Sequence, residues 1–103
     1  MKAVQIFGYS KTIQTTLRNI PQPEPLDSQV LIQVKAAAVN PLDLLILTGS
    51  VKLLQNYPMP LTLGNECSGI VAQVGRNVTD FRRGDRVYTR LPLNHIGAFA
   101  EYV

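Results

Sequence analysis

Asn40-Pro41-Leu42-Asp43-Leu44-Leu45-Ile46-Leu47-Thr48-Gly49 is the stretch on which the fold turns, because here the apolar pattern leaves the strand period found elsewhere in the chain. Leu42, Leu44, Leu45, Ile46 and Leu47 follow an Asn suited to an N-cap and a Pro suited to the first helical position, and Gly49 supplies a stop. One short helix is expected here. Working outward, Val30 to Val39 is the longest strand candidate, and its adjacent apolar pair Leu31 and Ile32 predicts cover on both faces. Upstream, residues 2–7 alternate in character and stop at Gly8, and a second strand is expected from Thr12 to Ile20. Pro21, Pro23 and Pro25 cannot donate ladder hydrogen bonds, so that segment is read as an extended connection. Downstream, residues 50–63 read as a long irregular loop of the kind that often carries function. Strands are then expected from Ser68 to Gly75, from Arg86 to Leu91 and from Gly97 to Val103, with a turn over residues 76–84. Many short strands, one brief helix and no βαβ alternation predict a mostly antiparallel β barrel or sandwich.

With 103 residues and 46% hydrophobic side chains, the chain fits one compact domain over residues 1–103, with enough core to fold without a staple. Cys67 is the single cysteine, so no internal disulfide forms, and no signal peptide is read, which points to a reducing, cytoplasmic setting. No apolar run approaches a membrane span, so no membrane partner is expected. The net charge is +3, yet the ten Lys and Arg residues are scattered and Arg82-Arg83 is the only adjacent pair. That distribution argues against a nucleic-acid partner. Asn77-Val78-Thr79 matches a glycosylation acceptor but carries no weight without a secretion signal.

Four further segments carry a family resemblance. Ala38-Val39-Asn40-Pro41-Leu42-Asp43, Gly64-Asn65-Glu66-Cys67-Ser68-Gly69, Gly84-Asp85-Arg86-Val87 and Gly97-Ala98-Phe99-Ala100-Glu101-Tyr102-Val103 occur in this order behind Met1-Lys2-Ala3-Val4. In order and spacing the chain resembles the N-terminal half of a medium-chain dehydrogenase/reductase. The resemblance implies a GroES-like β barrel, the catalytic domain of that superfamily, without the Rossmann domain that holds the nucleotide. It implies a fragment cut before the crossover to that domain, inactive alone. It also implies strand edges left open to self-association, and hence a homodimer.

The differences from the zinc-dependent branch bear on the chemistry. Asn40 and Pro41 stand where those enzymes have a metal-binding Cys and the His after it, and Asn65 stands where their Gly-His-Glu motif supplies a ligand. Zinc sites draw on thiolate, imidazole or carboxylate, and the structural zinc lobe of the family needs four cysteines, so no metal is expected here. The pattern Val39-Asn40-Pro41-Leu42-Asp43 instead resembles the zinc-free quinone oxidoreductase branch. The activity so implied for a parent protein is NADPH-dependent reduction of quinones or α,β-unsaturated carbonyls. Such acceptors spread the developing charge and need modest hydrogen-bond stabilisation rather than a Lewis acid.

From the resemblance, Asn40 is the candidate catalytic group and, with Asp43, the candidate cofactor contact, while Leu45, Asn65 and Glu66 are candidates for the substrate pocket. Asn40 and Asp43 suit a second role equally well, as N-cap and N3 residues of the helix, and the two roles do not exclude each other. Leu44 and Leu45 occupy positions where relatives often carry a Tyr, which predicts a more apolar pocket. Cys67 reads as a small buried side chain and His95 as part of a solvent-facing loop. No GxGxxG follows a strand, so tight binding of NADPH by this chain is not expected. Two rival readings stand beside this one: a standalone GroES-like binding or assembly module, and the enoyl reductase domain of a larger synthase.

Overall fold

The computed structural model describes residues 1–103. In chain order it contains β1 (Lys2–Ile6), β2 (Thr16–Asn19), β3 (Val30–Ala37), α1 (Pro41–Leu47), β4 (Leu61–Thr62), β5 (Glu66–Val74) and β6 (Arg86–Arg90). The strands form two three-stranded sheets, ordered β2-β1-β4 and β3-β5-β6, and every pairing is antiparallel.

Residues 97–103 join the two sheets. The expected final strand appears as isolated bridges, Ala3 with Ala100 and Gln33 with Tyr102. On one side Val4 N–H donates to Phe99 O (2.8 Å) and Glu101 N–H to Lys2 O (3.1 Å); on the other Ile32 N–H donates to Val103 O (2.7 Å) and Val34 N–H to Glu101 O (2.9 Å). Glu101 thus bonds both sheets through its own backbone. Its carboxylate adds a bond from Lys2 N–H at 2.6 Å.

β3, β5 and β6 end one or two residues before the expected Val39, Gly75 and Leu91, and three larger differences have local reasons. β2 begins at Thr16 rather than Thr12, because β1 offers partners only for Thr16 to Asn19 and the chain at Ser10 to Thr12 is tied to itself through the Ser10 hydroxyl. The segment 50–63 is not wholly irregular, since Leu61 and Thr62 pair with Ile6 and Gln5 as β4. β5 begins at Glu66 rather than Ser68, so Cys67 lies inside a strand, opposite Ala37 and Thr89. Leu31 and Ile32 are both buried, and a register shift falls between them: Leu31 lies opposite Gln73 and Ile32 opposite Val71, so β5 carries an extra residue, Ala72.

The core cluster is Ile6, Ile46, Leu47, Tyr57, Leu61 and Leu63. Helix α1 enters it through Ile46 and Leu47, which share an inward stripe with Asp43, while Leu44 and Leu45 face outward. Ile46 is fully buried, worth about 1.5–3 kcal/mol relative to exposure. Tyr57 ties down the loop before the final segment: its hydroxyl donates to Leu93 O, and its N–H donates to the Tyr9 hydroxyl at 2.9 Å. No helix is long and apolar enough to cross a membrane.

Gly64 sits where residues 97–99 cross the start of β5. Gly97 and Ala98 N–H both donate to Gly64 O, at 2.8 and 2.9 Å, and Phe99 N–H donates to Leu63 O at 2.8 Å. Gly64 has φ of +99°, and a Cβ added there would lie 2.6 Å from the Phe99 backbone nitrogen. Gly84 has a similar φ of +95° but open space around it. Gly84→Ala should therefore cost only the backbone strain, about 1–2 kcal/mol. Gly64→Ala adds a backbone clash and should cost about 3 kcal/mol or more. Urea unfolding of both variants checks this, and equal losses would contradict it.

Candidate active site

The end of β3, the start of α1 and the start of β5 bring Asn40, Asp43 and Glu66 together. Asn40 occupies the N-cap of α1 with extended backbone angles (φ −113°, ψ 159°), and Asp43 occupies N3, where its N–H donates to Asn40 O at 2.9 Å. Asn40 N–H donates to Asp43 Oδ2 at 2.7 Å. The Asn40 side chain also reaches across the sheet, and its Nδ2 donates to Glu66 Oε2 at 2.9 Å. One asparagine thus touches two carboxylates, by its backbone and by its amide.

Asp43 is buried, being only 4% exposed, because N3 of this helix lies on the same stripe as Ile46 and Leu47. Burial raises its carboxyl above the ordinary 3.8; the Asn40 N–H opposes that rise and the nearby Glu66 charge adds to it. Its Oδ1 is one of two buried side-chain polar atoms with no hydrogen-bond partner, and the other is Asn65 Oδ1. Most buried polar atoms in native proteins are paired, so both are exceptions, and both belong to residues singled out from the sequence.

The remaining candidates fall elsewhere. Asn65 is buried at the bend before β5 and makes no side-chain hydrogen bond to Asn40 or Glu66; its backbone carbonyl accepts from Leu91 N–H. Leu45 is on the exposed side of α1, beside Leu44, and is not drawn into the hydrogen-bonded group. Cys67 is buried and its thiol is pushed up by desolvation, which keeps it protonated and unreactive at neutral pH. His95 is exposed in the loop expected for it. No three His, Cys, Asp or Glu side chains converge.

Sequence reading missed Tyr57, set in a segment taken for irregular loop. Burial, followed by the neighbouring Tyr9, raises its phenol above 10.0, so it stays a hydrogen-bond donor. An aromatic residue with a polar tip beside prolines was the one available signal. A cavity of about 990 Å³ is lined by the 20–26 segment, β3, β6 and residues 91–97, and contains none of the five candidate residues. Its polar wall residues, such as Glu24, Arg86 and His95, are solvated surface groups.

Two short sheets stitched by residues 97–103, with the cap of α1 and the start of β5 bringing one amide and two carboxylates together, form a small β domain. Residues 26–103 match the family described as the alcohol dehydrogenase GroES-like domain. The chain belongs to that family. It is 37% identical over 103 residues to quinone oxidoreductase of Homo sapiens, covering 99% of this chain and 30% of that protein. It is 32% identical over 107 residues to the mitochondrial NAD(P)H oxidoreductase RTN4IP1 of Dictyostelium discoideum, covering 100% of this chain and 30% of that one. A solved alcohol dehydrogenase superfamily protein from Novosphingobium aromaticivorans superposes with a TM-score of 0.87 at 33% identity, covering 99% of this chain and 31% of it. The chain therefore spans about 30% of the length of these relatives.

The raised Asp43 carboxyl makes stability depend on pH with a definite sign. Between 3.8 and its higher folded value, the folded chain binds more protons than the unfolded one. Stability contributed by this group is thus complete below 3.8 and lost as pH rises through the folded value. Relative to Asp43→Asn, the wild type should lose about 1.4 kcal/mol for each unit by which the carboxyl is raised. Urea unfolding from about pH 3 to about pH 7 measures the gap, which should move against the wild type, whereas a constant gap would contradict the assignment.

Proposed function

We propose that this chain is the substrate-side domain of an NADPH-dependent reductase of quinones or α,β-unsaturated carbonyls, working without zinc and inactive as an isolated domain. The observation that carries the reading is the Asn40 amide, bound by one hydrogen to Glu66 and left with a second Nδ2 hydrogen to give. That hydrogen suits a carbonyl oxygen, on which negative charge grows as the acceptor is reduced. Two names among the relatives, quinone oxidoreductase and NAD(P)H oxidoreductase, agree with a carbonyl acceptor and a nicotinamide cofactor.

The donor set fits this chemistry better than a metal centre. An amide and two carboxylates, with no thiolate or imidazole among them, lack the soft or nitrogen ligands that zinc enzymes of the superfamily use. When bound, NADPH supplies the hydride; Asn40 and Asp43 are the residues placed to meet its nicotinamide end. The antiparallel sheets offer no βαβ turn to seat a pyrophosphate, so the cofactor's phosphates belong on another domain. Val39, Leu44, Leu45, Leu53 and Leu54 are exposed on and around α1, and that apolar stretch suits an apolar enone or quinone and a covering domain.

The protein expressed from its full gene should oxidise NADPH with menadione or an enone, and chelators should leave the rate unchanged. Asn40→Ala should lower kcat/KM by about 100-fold. The 103-residue chain should show no saturable NADPH binding. A chelator-sensitive rate, an unchanged Asn40→Ala enzyme or micromolar NADPH binding by this chain would each count against the reading. Comparing enoyl thioesters with quinones separates it from a synthase-type enoyl reductase.

A further inference from the structure

The bond between Asn40 Nδ2 and Glu66 Oε2 spans 26 residues of sequence and ties the cap of α1 to the first residue of β5. Its chemistry also decides which way round the carboxamide sits. An ionised carboxylate only accepts hydrogen bonds, so the face of Asn40 turned toward Glu66 has to be the NH2 group. A flip about the last torsion would set Oδ1 against Oε2, oxygen against oxygen. That torsion is otherwise broad and roughly two-fold, so an amide without this partner samples both orientations. The Asn40 backbone is held separately, by its N–H bond to Asp43 Oδ2 at 2.7 Å, which leaves the orientation of the side-chain amide to Glu66.

We propose that Glu66 is a positioning residue, whose carboxylate holds one Nδ2 hydrogen of Asn40 and thereby aims the other at the carbonyl oxygen of an enone or quinone. This rests on the carbonyl-reductase reading above and adds what fixes its donor. A bond to a charged acceptor is about twice as strong as one between neutral groups, and Glu66 is partly buried, where water competes less. Asp43 does not perform this task in the structure: its Oδ2 accepts from the Asn40 backbone N–H, and its Oδ1, buried with Ile46 and Leu47, bonds nothing.

Nuclear spin relaxation of the Asn40 side-chain amide in the 103-residue chain reads the orientation directly, with thermal unfolding as the control for a purely structural role. In the wild type its order parameter should approach the rigid value of about 0.85. In Glu66→Ala it should fall below about 0.6 with the fold retained, and Glu66→Gln should restore it, because the Gln carbonyl can accept the same hydrogen. Titrated 2-cyclohexenone should shift the Asn40 Nδ2 protons in the wild type and in Glu66→Gln, and bind Glu66→Ala about tenfold more weakly. A wild-type order parameter below about 0.6 overturns the proposal even if Glu66→Ala does not fold. Equal cyclohexenone affinity in all three proteins overturns the positioning role and leaves the carbonyl-reductase reading standing. A rigid, Glu66-dependent amide that cyclohexenone never perturbs overturns the carbonyl-reductase reading and the proposed aim with it.

Discussion

The site depends on the close approach of two backbones, at Gly64 and Phe99. Only a residue without a side chain can sit at φ +99° with the Phe99 nitrogen where its Cβ would be. From that crossing, Leu63 bonds to β1 through Val4 O and to the final segment through Phe99 N–H, while Gly64 O receives Gly97 and Ala98. The crossing sets where β5 begins, and the first residue of β5 is Glu66. The same final segment bonds Ile32 and Val34 of β3, the strand that leads into Asn40. Both partners of the Asn40–Glu66 bond are thus positioned by one seam, from opposite sides.

Within that frame the polar group is costly to hold and chemically useful. A buried carboxylate with one unpartnered oxygen is destabilising, and the Asn40 N–H bond offsets only part of that cost. The core beneath α1, with Ile46 fully buried and Leu47 nearly so, tolerates it. The outcome is a short helix whose start is polar and half-buried, whose inner stripe is core, and whose outer leucines are exposed. Such a helix end sets a hydrogen-bonded amide close to exposed leucines.

Much of the fold was legible because it rests on local signals. The Asn-Pro start and Gly stop of α1 match the helix at Pro41–Leu47, and the Pro-rich segment after β2 does run without ladder bonds. The burial of Asp43 was also within reach, since positions 43, 46 and 47 share a helical face. What was illegible depends on distant partners. β2 is short because β1 ends, β4 exists because β1 needs a partner at Ile6, and β5 starts early because Thr89 and Arg90 lie opposite Cys67 and Glu66. Of the candidate site, motif resemblance identified Asn40, Asp43 and Glu66, but nothing local links residues 40 and 66. Leu45 and Asn65 were grouped with them by motif alone, and the structure sets one on the outer face of α1 and the other in the interior.

The most direct test of the account is a structure of the protein expressed from its full gene, determined with NADPH and an unreactive carbonyl ligand bound. The account predicts the ligand's carbonyl oxygen within about 3 Å of Asn40 Nδ2, with Glu66 on the other Nδ2 hydrogen. A carbonyl seated in the cavity between the 20–26 segment and β6, or a metal ion bound beside Asn40 and Glu66, would contradict it.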